Sequence, residues 1–166
     1  MPFPLSSGHK ALRSGRLSIP GRVYLLTTVT RGRQRLFVDP ACVREASRVI
    51  DAAPTWGNAQ LLAWVLMPDH WHGALLLGKE PLGRVMNRFK ANVSRALRDA
   101  GICQSPPWAR GFHDHALRKQ EDLKATSEYI IANPLRAGLV DNVLDYPYWN
   151  AAWLPTLSEP ARGRCS

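Results

Sequence analysis

Residues 60–77 read QLLAWVLMPDHWHGALLL. Two apolar runs, 60–66 and 71–77, flank Met67-Pro68-Asp69. Proline fixes its own φ and has no N–H to give, and aspartate bonds readily to nearby backbone. The three residues are therefore a turn signal, and the two runs read as an antiparallel strand pair.

Working toward the N-terminus, residues 23–30 (VYLLTTVT) are rich in β-branched and apolar types and predict a strand. Between these strands, Asp39 is placed to cap a helix with Pro40 at its first position. Ala41, Val43, Ala46, Val49 and Ile50 give that helix an apolar stripe to about Ala53, and Pro54 is expected to end it. Toward the C-terminus, residues 82–100 predict the clearest helix. Leu82, Val85, Phe89, Val93, Ala96 and Ala100 fall on one face, with Arg84, Arg88, Arg95 and Arg98 opposite. Gly101 is a C-cap candidate. Residues 112–118 suggest a strand, and 121–132 a helix stopped by Pro134.

The order strand, helix, strand, strand, helix, strand resembles the split βαβ, or ferredoxin-like, pattern. The expected fold is α+β: an antiparallel sheet with helices on one face, plus an extra C-terminal helix that carries Tyr129. Residues 1–21, with several Pro and Gly, read as a basic arm, 22–153 as one domain, and 154–166 as a disordered tail.

The 22 Lys and Arg against 13 Asp and Glu give a net charge of +9. Residues 1–38 carry no acidic residue and seven basic ones, Lys10, Arg13, Arg16, Arg22, Arg31, Arg33 and Arg35. A one-signed segment attracts polyanions, and guanidinium suits phosphate and guanine. A generally basic protein from an Arg-rich genome would have the same composition. The arginine face of residues 82–100, with Lys90 at its edge, is either a solvated face or a phosphate-tracking one. Cys42, Cys103 and Cys165 are far apart and form no CxxC pair, which argues against a disulfide framework or a cysteine zinc site. No apolar stretch approaches the roughly 20 residues of a membrane span, so a cytoplasmic protein with no membrane partner is expected.

Two groups of residues could carry chemistry. His70 and His72 are two apart on a strand, so they share a face and can chelate one metal ion, while Trp71 turns to the other face. Tyr129 and Asn133 are one helical turn apart. Tyrosine can act as a covalent nucleophile, and an amide oxygen can ligate a hard cation. Each group has a plainer alternative: an incidental HxH, or a packed tyrosine ring with an asparagine at the helix end. Tyr24 sits among core-like residues, and Tyr146 and Tyr148 flank Pro147 beside Trp149, as packing or interface aromatics would.

Four segments in order resemble the REP-associated tyrosine transposases of the HUH superfamily of single-strand DNA transposases. They are residues 18–30 (SIPGRVYLLTTVT), 67–72 (MPDHWH), 87–95 (NRFKANVSR) and 129–140 (YIIANPLRAGLV). The resemblance implies that His70 and His72 are the HUH histidines, Tyr129 the nucleophile, and Asn133 the third ligand of a divalent metal, Mg²⁺ or Mn²⁺. It implies a single-stranded DNA endonuclease and strand-transferase that acts at hairpins through a 5′-phosphotyrosine intermediate, as a monomer or homodimer. Arg13, Arg16 and Arg22 are expected to meet DNA from the arm and the first strand, and Arg84, Arg88, Lys90 and Arg95 from the helix. The alternatives are a hairpin-binding descendant that no longer cuts, a hydrolase using activated water, and an interaction protein with an incidental HxH.

Overall fold

The computed structural model describes residues 18–118 and 122–152. The central hairpin forms as expected, with a tighter turn. Strand β2 (Gln60–Met67) and strand β3 (His70–Leu76) pair antiparallel, so only Pro68 and Asp69 lie between them. That turn is anchored from outside. The backbone N–H and the Oγ1 hydroxyl of Thr30 both donate to the Asp69 carbonyl, and the Phe37 N–H donates to the Pro68 carbonyl.

Strand β1 (Val23–Val29) flanks β3 on its other side and pairs in turn with β4 (His113–Ala116). A short β5 (Trp149–Ala151) closes the far edge, giving the order β4-β1-β3-β2-β5. The first four strands follow the ferredoxin-like order, with β3 at the centre of the sheet.

Helix α1 (Pro40–Asp51) starts where Asp39 accepts from the Cys42 N–H, as the sequence implies. It stops earlier than expected. Ala52 turns extended, and Pro54 sits in the first turn of a new short helix α2 (Ala53–Trp56), where a missing N–H costs nothing. Helix α3 (Leu82–Asp99) buries Leu82, Val85, Met86, Phe89, Val93 and Leu97. The buried face therefore includes Met86 and Leu97, whereas Ala100, expected on it, is exposed just past the helix end.

Helices α1, α2 and α3 cover one face of the sheet. There Trp71 is fully buried, stacked near Trp56 (5.6 Å) and tilted against Phe89 (4.8 Å). Helix α4 (Asp122–Ile131) covers the opposite face, where Ile130 joins Ala63, Val65, Met67 and Ala74 in a second core. Residues 146–148 have no regular structure, and Tyr146 packs as a core aromatic. Tyr146 is buried with its hydroxyl donating to the Leu66 carbonyl at 2.5 Å, and Trp149 opens β5. Among the described residues no helix is long and apolar enough to cross a membrane. Arg13, Arg16, Glu121 and the tail from residue 154 lie outside the described residues.

Candidate active site

Strand alternation decides the site. With Trp71 committed to the face of α1 and α3, His70 and His72 turn to the face covered by α4. Cross-strand register places Val29 and Met67 beside His70, and Thr27 and Val65 beside His72.

Each imidazole is oriented through Nδ1. Thr27 Oγ1 lies 2.5 Å from His72 Nδ1, and Asp69 Oδ1 lies 2.7 Å from His70 Nδ1. Such contacts fix the ring and tautomer and leave Nε2 as the nitrogen for a metal. Burial pushes the His72 pKa down from 6.5 to about 4, helped by the charges of His70 and Arg136 and opposed by the Leu26 carbonyl. His72 is therefore a neutral, ligation-ready imidazole at pH 7. Asp69 feels desolvation upward, but the His70 hydrogen bond with the His70 and Arg33 charges outweighs it and lowers its pKa. Arg33 Nη1 reaches Asp69 Oδ2 at 3.5 Å.

The helical half of the site is built around a break. Helix α4 ends at Ile131, and a single turn, α5 (Asn133–Arg136), follows across Ala132. Pro134 causes the interruption, since it cannot donate to the turn before it. Arg136 folds back over the break. Its Nη2 donates to the Tyr129 carbonyl at 2.8 Å and to Asn133 Oδ1 at 2.9 Å, and its guanidinium carbon stands 3.7 Å from the Tyr129 ring centroid. Arg136 thus ties Tyr129 to Asn133, at the end of the helix that packs on the sheet face of His70 and His72.

The donor set suits a divalent cation in part-built form. Two imidazoles and an amide oxygen are donor types that a catalytic Mn²⁺ or Mg²⁺ accepts. Asn133 Nδ2 is buried without a partner, while Oδ1 faces the Arg136 donor. Among the described residues no group of three or more His, Cys, Asp or Glu gathers.

The other expected DNA contacts are scattered. Arg22 is exposed beside the start of β1. Arg84 and Arg95 are exposed on α3, across the sheet from Tyr129. Arg88 holds Glu80 through two nitrogens (2.7 and 3.0 Å) and donates to the Thr55 carbonyl at 3.0 Å. Lys90 donates to the carbonyls of Ala109 (2.6 Å) and Gly111 (2.8 Å), and desolvation lowers its pKa. Any role of these two on a phosphate competes with those bonds.

Sequence reasoning assigned no role to Thr27, Asp69 or Arg136. Asp69 was legible as the residue before His70. Arg136 lies seven residues after Tyr129, a same-face helical spacing, but the intervening Pro134 concealed it.

Residues 21–133 match the family model described as Transposase IS200 like, a span that takes in His70, His72, Tyr129 and Asn133. Over 91 residues the chain is 29% identical to a REP-associated tyrosine transposase of Escherichia coli K12, covering 54% of this chain and 52% of that protein. The chain spans about half the length of the curated relatives it matches. Among solved structures, that of a REP-associated tyrosine transposase bound to a REP hairpin aligns with a TM-score of 0.64 at 24% identity, over 81% of this chain and 79% of that one. A likeness at that identity establishes the fold.

Proposed function

Because the chain belongs to the IS200-like transposase family, we propose that it is a metal-dependent single-stranded DNA endonuclease and strand-transferase acting at hairpins. The observation that carries the reading is the convergence of Tyr129, Asn133 and Arg136 on the sheet face that bears His70 and His72. Binding alone would require neither a tyrosine at that place nor histidines held by Thr27 and Asp69.

Cleavage begins with Tyr129 Oη attacking the scissile phosphorus. The phenolic proton passes to solvent, the bond from phosphorus to the 3′ oxygen breaks, and that oxygen leaves as a 3′ hydroxyl after taking a proton from solvent. The 5′ phosphate remains on Tyr129. One phosphoester replaces another, so a second 3′ hydroxyl can reverse the step and complete strand transfer without ATP. A free phenol has a pKa near 10 and is a weak nucleophile at neutral pH. His70, His72 and Asn133 would hold a divalent metal, which would supply Lewis acidity at the phosphate when bound. The chain itself does the positioning: Thr27 and Asp69 fix the two rings, and Arg136 fixes the tyrosine and the amide oxygen.

The exposed arginines of α3 lie on the other face, so their part is to hold the DNA backbone away from the reacting phosphate. The chemistry is tested on the DNA ends. After reaction of a single-stranded hairpin from the flanks of the gene with Mn²⁺, the new 3′ hydroxyl end should be extendable by a polymerase, and the new 5′ end should stay blocked, still carrying a tyrosyl peptide after protease digestion. A free 5′ phosphate formed at the same rate would mean attack by water.

A further inference from the structure

We propose that Arg136 is a phosphate-binding residue of this site, receiving the scissile phosphate beside Tyr129. The inference rests on the tyrosine reading and adds a residue to it. Three observations carry it. First, the guanidinium is stacked on the nucleophile's own ring, 3.7 Å from its centroid, so its charge lies within one ring's reach of the reacting oxygen. Second, among the described residues only Nη2 is spent, on Tyr129 and Asn133. Among the described residues Nε and Nη1 make no hydrogen bond, and no carboxylate pairs with the side chain. Third, Arg136 is exposed although it is tied down, so a ligand can reach the open edge of the fork.

An arginine that served only to cap the break between α4 and α5 would need one N–H on the Tyr129 carbonyl. This one has a fixed plane, an unneutralised charge and unused donors in the geometry that phosphate oxygens accept. Arg136 thus sets a positive charge beside both Tyr129 and Asn133.

The test uses the full chain and the mapped hairpin substrate. Kd is measured for Tyr129→Phe and for Tyr129→Phe/Arg136→Gln, each on DNA with the native scissile phosphate and on DNA with a neutral methylphosphonate there. Contact predicts that the methylphosphonate weakens Tyr129→Phe at least about tenfold more than it weakens the double variant, the scale of a close charge pair. Equal weakening of the two proteins would overturn the proposal. In the Tyr129 background, Arg136→Gln should slow adduct formation at saturating DNA by about 100-fold, with Arg136→Lys restoring part of it. An unchanged rate in Arg136→Gln would also overturn it. If the wild type forms no adduct, the tyrosine reading falls, while the binding comparison still decides whether Arg136 meets the phosphate.

Discussion

At the scale of single residues, the account turns on hydrogen bonds behind the chemistry. Thr27 touches no substrate in this reading, yet it sets which nitrogen of His72 is available. Thr27→Val keeps the shape and removes the hydroxyl, and should weaken Mn²⁺ binding by about 10- to 100-fold, the usual cost of losing such a support. Titration calorimetry would check this, and unchanged affinity would remove Thr27 from the site. His72 also makes stability depend on pH in the metal-free protein. Its folded pKa is depressed, so its contribution is present above about 6.5 and is lost as pH falls through about 4. At about 1.4 kcal/mol per pH unit this amounts to roughly 3 kcal/mol. Urea unfolding in chelator should show the loss between these limits, and His72→Gln should flatten it. Neither effect could be read from HxH spacing. The spacing gives a shared face, but burial and the Thr27 contact depend on β1 pairing at one register and not its neighbour.

At the scale of elements, β3 and α3 show what the sequence could and could not convey. Alternation in HWHG correctly separated Trp71 from the histidines. Gly73 was silent, because its reason is a neighbour's shape. A Cβ there would lie 2.4 Å from Trp71 Cζ2, so the indole lies across the glycine. Gly73→Ala should cost about 1–3 kcal/mol, as overpacking does, measured as a lower urea midpoint at constant m-value. In α3 the helical period gave the buried side well but treated its arginines as alike. The structure divides them: Arg95 is exposed, while Arg88 ties Glu80 to the Thr55 carbonyl. Arg95→Ala should lower the salt dependence of DNA binding by a little under one unit of slope and leave Tm unchanged. Arg88→Ala should lower Tm. The reverse pattern would mean that α3 meets DNA through a different edge. The end of α4 was legible in Pro134, whereas the return of Arg136 over the break required the fold.

At the scale of the whole molecule, the sheet is a partition. Helices α1 to α3 and an aromatic core lie on one side, and α4 with the site lies on the other. The strand order followed from the sequence of elements, because a split βαβ pattern permits few arrangements. The short β5 was hidden because three residues, Trp149–Ala151, carry too little alternation to register as a strand. The face that carries α4 frames the central claim, that Tyr129 is the nucleophile. The most direct test is a denaturing gel of the labelled single-stranded hairpin after incubation with wild type or Tyr129→Phe, with and without Mn²⁺. The account predicts an SDS-resistant protein–DNA adduct that requires both Mn²⁺ and Tyr129, with hairpin binding retained in the variant. A cut without an adduct, or an adduct that persists in Tyr129→Phe, would contradict it.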